Sequence, residues 1–199
     1  MDNNAQVAEV ITFFRSAFSL IFALALAEAF KQFISDRAKQ PTDPIIDWDR
    51  LLPLLSFVLL IFPFYQGTIR YFVFTYGDPK ALPQPYSFSI LFDSGAFMIE
   101  VALFFIMSRA LAPLHWQTYY GSVLTLLWVD SIWGLVTARL HKTAIEPWIY
   151  LNLGFGAIVA LMLFQHKRLR ENRATIIGFI VVLLRTGLDY YTAWEFYFP

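Results

Sequence analysis

Uncharged apolar runs long enough to cross a bilayer alternate along the chain with short polar connectors. A hydrocarbon core about 30 Å thick asks for ~20 apolar helical residues per crossing. Residues 51–69 run 19 positions without a charge, and 148–165 run 18. A third uncharged run, 110–129, contains Pro113, His115 and Trp116, a cluster that reads as a turn between two helices. Two further apolar segments, near the two ends of the chain, carry charges inside. The pattern predicts an all-α polytopic transmembrane bundle of six spans, at about 7–34, 51–74, 88–112, 116–139, 147–166 and 174–198.

The connectors are too short to fold alone, so a single transmembrane domain over 1–199 is expected. Residues 35–50 hold Pro41 and Pro44, 77–87 hold Pro79, Pro83 and Pro85, and 140–146 and 167–173 are brief and charged. The first segment has a signal-like apolar stretch with Ala25-Leu-Ala27 as a small-x-small site. Asp2 and Glu9 precede it with only Arg15, where a signal peptide wants net positive charge, so it reads as a retained helix. Lys31, Arg37, Lys39, Arg50, Arg109, Lys167, Arg168, Arg170 and Arg173 gather on one side, nine against the four of Arg70, Lys80, Arg139 and Lys142. This bias puts the first, third and fifth connectors in the cytoplasm and both termini outside it. Aromatic residues at 71–76, 148–150 and 194–199 are expected at the outer interface, where a ring stays in lipid and its N–H or O–H stays wet.

Composition agrees with lipid as the solvent. The chain is 58% hydrophobic and 15% charged, displaced from the near-half and quarter of soluble domains, and its mean hydropathy is +0.54. A net charge of 0 gives no field for nucleic acid, and the absence of cysteine removes disulfides and thiolate metal sites. His115, His141 and His166 fall near helix ends on three different connectors, a poor metal site. Asp43, Asp47 and Asp49 lack calcium-loop spacing and read as a solvated acidic loop. No phosphate loop, HExxH, GxSxG or GxGxxG occurs, so no enzyme, cofactor or metal is expected. An intramembrane aspartyl enzyme would rest on the bare pair Asp130 and Asp189.

The charges inside the spans carry the chemistry, since each costs ~2.5–3.5 kcal/mol at a helix centre. Asp93 and Glu100 are seven apart and share a face of the third helix, with Ala96 between them. Asp130 shares a stripe of the fourth helix with Trp133, Gly134 and Thr137. Arg185 and Asp189 share a face of the sixth with Gly178 and Thr192, while Glu195 lies on another. The first helix contributes Arg15 and Glu28. The third, fourth and sixth helices are therefore expected to face one another around a polar centre. Two readings stand. Asp93, Asp130, Asp189 and Glu195 balance Arg15, Arg70, Arg139 and Arg185, so pairing alone would fix the bundle. Alternatively, Arg15, Arg70 and Arg139 snorkel to the interface, leaving Glu100, Asp130 and Asp189 deep with Arg185. Three acids to one base must hold a protonated carboxyl, a cation or water. Pro63, followed by Tyr65-Gln66-Gly67, frees the carbonyl of Leu59. A helix break at Pro63 and Gly67 that forms a binding site, or a kink that only shapes the bundle, would each follow.

Pro63-Phe-Tyr-Gln-Gly67 with Arg70, Val129-Asp-Ser-Ile-Trp-Gly134, and Arg185-Thr-Gly-Leu-Asp-Tyr190 leading to Phe196-Tyr-Phe-Pro199 resemble a set of small, uncharacterised bacterial inner-membrane proteins. That resemblance spans most of the chain; it implies a bacterial inner membrane and carries over no activity. Arg15-Ser-Ala-Phe-Ser19 is faintly similar to the first helix of lysosomal and bacterial potassium channels, Arg-x-x-x-Phe-Ser-Asp-Gly. The spacing is one residue short and Leu20-Ile21 stands in place of Asp-Gly, so that function is not transferred. The favoured expectation is movement of a cation, proton or small polar solute through Asp93, Glu100, Asp130 and Asp189, tuned by Arg185. A homo-oligomer or a subunit of a membrane complex is expected. The alternative is a non-transporting subunit or effector in which the same charges only pair.

Overall fold

The computed structural model describes residues 3–39, 48–77, 86–111, 114–141, 146–165 and 167–198. Six long helices fill it: α1 (Asn3–Lys39), α2 (Trp48–Tyr76), α3 (Tyr86–Arg109), α4 (Trp116–His141), α5 (Glu146–Phe164) and α6 (Glu171–Thr192). A single turn, α7 (Trp194–Tyr197), follows. All six long helices contain a stretch long and apolar enough to cross a membrane, from Ala8–Ser35 to Glu171–Thr192. The protein is an all-α, multi-pass membrane bundle, and no strand occurs among the described residues.

The helices close into a ring. In spatial order α1 neighbours α2, α2 neighbours α6, α6 neighbours α5, α5 neighbours α4, α4 neighbours α3, and α3 returns to α1. Secondary contacts cross the ring from α2 to α3 and from α4 to α6. Between α1, α2 and α3 the filling is aromatic. Phe18 stacks on Phe72 at 5.6 Å and meets the edge of Phe97 at 6.0 Å, while Phe104 touches Phe22, Phe57 and Phe64 at 5.5–5.9 Å. Such pairs add ~0.5–1.5 kcal/mol each beyond the area they bury. Outside, Leu20, Phe62, Phe74, Leu91, Ile132 and Phe164 are exposed, a surface that suits acyl chains.

Two expectations about helix ends are corrected. The helix does not break at Pro63: α2 runs on through both Pro53 and Pro63. The lost backbone bond is made good across the bundle, because the carbonyl of Leu59 accepts from Thr186 Oγ1 of α6 at 3.1 Å. Nor does the sixth span continue to 198. α6 stops at Thr192, the Ala193 N–H donates to the Asp189 carbonyl, and α7 turns back over the bundle. Gln66 fastens that turn, donating from Nε2 to the Tyr197 carbonyl at 3.1 Å and accepting from the Tyr190 hydroxyl at 3.3 Å. Pro113, assigned to the turn between α3 and α4, lies outside the described residues.

One close approach sets how tightly α6 sits on α4. A Cβ added at Gly178 would lie 2.1 Å from Cζ of Tyr120, whose ring is fully buried and whose hydroxyl donates to the Thr175 carbonyl at 3.3 Å. Gly178→Ala is expected to cost about 1–3 kcal/mol by overpacking, seen as a lower unfolding temperature in detergent. Gly187→Ala is the control, since its Cβ meets nothing within 4 Å. Equal unfolding temperatures for the two variants would show that the helices yield freely here.

Candidate functional site

A chain of polar groups runs through the middle of the ring. One helical turn separates Arg185 and Asp189 on α6, and the guanidinium Nη1 pairs with Asp189 Oδ2 at 2.7 Å. Both are almost wholly buried. The other edge of the guanidinium donates to Asn152 Oδ1 of α5, from Nε at 3.2 Å and Nη2 at 2.9 Å. A guanidinium only donates, so it fixes the Asn152 amide with oxygen inward. The amide nitrogen then faces α4 and donates to Asp130 Oδ2. The Phe64 ring lies 4.8 Å beneath the guanidinium carbon, a cation–π contact strengthened by desolvation. On the far side of Asp189, the Tyr197 hydroxyl of α7 sits 3.3 Å from each carboxylate oxygen and 3.5 Å from the Pro63 carbonyl.

Glu100 of α3 completes the group from the opposite wall. Its side chain is buried, with the Asp130 carboxyl as a close neighbour. Neighbouring carboxyls repel each other when both are ionised. One Glu100 oxygen, Oε1, is buried without a hydrogen-bond partner among the described residues, as is Nε1 of Trp148. Both residues line a cavity of about 40 Å³, whose walls also include Pro63, Gly67, Asp130, Arg185, Asp189 and Tyr197. Orphaned polar atoms facing a cavity are where water or a ligand is held.

Asp93 belongs to a second, closed site. Its Oδ2 accepts from the hydroxyls of Tyr71 at 2.8 Å and Tyr76 at 2.6 Å. Its Oδ1 accepts from Trp133 Nε1 at 2.8 Å and Thr137 Oγ1 at 3.5 Å. Among the described residues, four neutral donors thus reach a carboxyl with 0% exposure. Asp93 does not line the cavity, although two of its donors, Tyr71 and Trp133, do.

Of the five charged residues singled out in the sequence, Glu100, Asp130, Arg185 and Asp189 come together and Asp93 stands apart. Pro63 and Gly67 reach the same cavity from an unbroken helix. α5 joins the polar centre beside α3, α4 and α6, through Asn152, a residue that sequence reasoning passed over. Its signal was present, since an amide well inside an otherwise apolar span needs a partner there. Tyr197, Tyr71 and Tyr76 were placed in the interfacial belt, yet all three are buried and bond to carboxylates, whereas Tyr150 and Trp194 are exposed as expected of that belt.

The remaining charges lie elsewhere. Arg15 is exposed, and Glu28 pairs with Lys31 at 3.2 Å and accepts from Gln32 at 2.7 Å. No group of three or more His, Cys, Asp and Glu that could hold a metal occurs among the described residues. Asp43, Asp47 and His166 fall outside those residues, and the side chains of Asp49 and His141 are likewise not described. Comparison of the chain with protein-family models, with curated proteins and with solved structures finds no match.

Proposed function

We propose that the protein moves a proton, a cation or a small polar solute across the membrane, through the cavity between its helices. The observation that carries this reading is the Glu100 Oε1 atom, buried, without a hydrogen-bond partner among the described residues, and on the cavity wall. Glu100, Asp130 and Asp189 share that wall with the single guanidinium of Arg185, and Arg185 is already bonded to Asp189 and Asn152. An uncompensated acidic group in a membrane interior is the usual mark of an ion or proton path. The chain is read as a bacterial inner-membrane protein with both termini outside the cytoplasm, from its Lys and Arg bias and the resemblance of its motifs. It is read as working without enzymatic chemistry, as a homo-oligomer or within a membrane complex.

A second reading draws on the closed parts of the network. Asp93, with four donors, and Arg185, with acceptors on both edges, suit a non-transporting subunit whose buried charges lock the bundle and whose surface meets partners. Vesicles separate the two. Purified protein reconstituted in lipid should pass protons, sodium, potassium or a small polar solute faster than protein-free vesicles. Asp130→Asn, which keeps shape and removes the charge, should lower that flux by about 10-fold or more while the unfolding temperature holds. Wild-type vesicles no leakier than empty ones, for every cargo tried, would establish the non-transporting reading.

A further inference from the structure

Within the transport reading, on which this inference rests, we infer that the cargo is the proton and that the Glu100–Asp130 pair is its binding site, loaded from the cavity. Size comes first. A cavity of about 40 Å³ has room for water beside the two carboxyls, which is all that loading a proton asks of it.

Ligand chemistry then removes the metal cations. A hard cation takes about six or more oxygens. The cavity wall is instead largely ring carbon, from Phe64, Phe97, Trp133, Trp148 and Phe196. Apart from Glu100 Oε1, the carboxylate oxygens nearby have hydrogen-bond donors of their own. Asp189 accepts from Arg185 at Oδ2, and the one hydroxyl hydrogen of Tyr197 is shared between its two oxygens. Asp130 Oδ2 accepts from Asn152. The one carbonyl freed by a proline in mid-helix, Leu59, is taken by Thr186.

A proton needs much less. One acid, one water and an unfilled lone pair suffice, and Glu100 Oε1 supplies the last. A water that accepts from Trp148 Nε1 and donates to Glu100 Oε1 would serve both orphaned atoms. Loading balances simply. Hydronium in the cavity gives its proton to Glu100 Oε1 and leaves as water, and the charge of the pair rises by one. The charged and titratable groups around the pair are Arg185 and Asp189 on α6, Tyr197 on α7 and Tyr71 on α2, while α5 offers the neutral Asn152.

The test uses wild-type protein and Glu100→Gln in vesicles carrying an internal pH dye, with separate sodium and potassium gradients imposed at clamped pH. Expected is proton flux that sodium and potassium gradients do not replace, falling about 100-fold in Glu100→Gln. Infrared difference spectra of the wild type between acid and alkaline buffer should show a protonated-carboxyl band that Glu100→Gln removes. The infrared measurement on wild type stands even if the variant fails to fold. Sodium or potassium flux at clamped pH would overturn the proton assignment and leave transport standing. Absence of any flux would overturn both. Proton flux unchanged in a folded Glu100→Gln would overturn the assignment to this pair.

Discussion

Arg185→Met is expected to destabilise the folded bundle by about 3 kcal/mol. Removing one member of a buried pair costs ~3–5 kcal/mol, because the other charge stays behind without compensation. Here, among the described residues, Asp189 would keep the Tyr197 hydroxyl alone, and Asn152 Oδ1 would lose both of its donors. The lower end of the range applies because a chain unfolded within lipid also finds polar partners. Lysine should not rescue the site. A single ammonium lacks the planar fork that spans Asn152 and Asp189 together. The double change Arg185→Met with Asp189→Leu should recover more than half of the loss, since no charge is then stranded. Thermal unfolding in detergent, followed by the loss of monodisperse protein, reads all three. An Arg185→Met protein as stable as wild type would mean that the guanidinium is hydrated in the membrane, not locked.

Asp93→Leu is expected to cost about 2–3 kcal/mol, for a different physical reason. Among the described residues, four neutral donors lose their shared acceptor. Stranding a buried donor costs ~1–3 kcal/mol, and Tyr71, Tyr76, Trp133 and Thr137 would all be stranded, with relaxation of the tyrosines limiting the sum. Asp93→Asn should fall between, near 1 kcal/mol, because an amide keeps one accepting oxygen and turns a donor towards the others. The two sites therefore separate by experiment: Asp93 variants should change unfolding temperature and leave the flux per folded molecule intact. Loss of flux in a fully folded Asp93→Asn protein would join the two sites into one path.

The architecture was legible because lipid imposes a coarse rule. A span must be apolar and about 20 residues long, and the runs at 51–69 and 148–165 satisfy it on sight. The charged positions were legible for the same reason, since each is an exception to that rule. Their grouping was not. Helical spacing puts Asp93 and Glu100 on one face, and they do share it, yet seven residues of rise, ~10 Å, carry them to different partners. Tyr71 and Tyr197 misled because a tyrosine near a helix end has two satisfying environments, the wet interface and a buried acceptor. Only the packing decides between them. Proline misled in a similar way. Its cost at Pro63 falls on Leu59, and whether the helix breaks depends on whether another residue, here Thr186, can reach that carbonyl.

The order of helices around the ring bears on how the protein is made. α6 sits between α2 and α5, so it must slot between two segments synthesised well before it. Until it does, Asn152 has no guanidinium beside it, and the flank of Asp130 and Glu100 that α6 covers stays open to acyl chains. The first three helices are joined by phenylalanine, yet the Leu59 carbonyl of α2 also waits for Thr186 of α6. Insertion is thus divided into an oily half packed mainly by its own rings and a polar half that waits for its arginine. The guanidinium, carried on the sixth helix, acts as the keystone that converts a costly intermediate into a finished membrane protein.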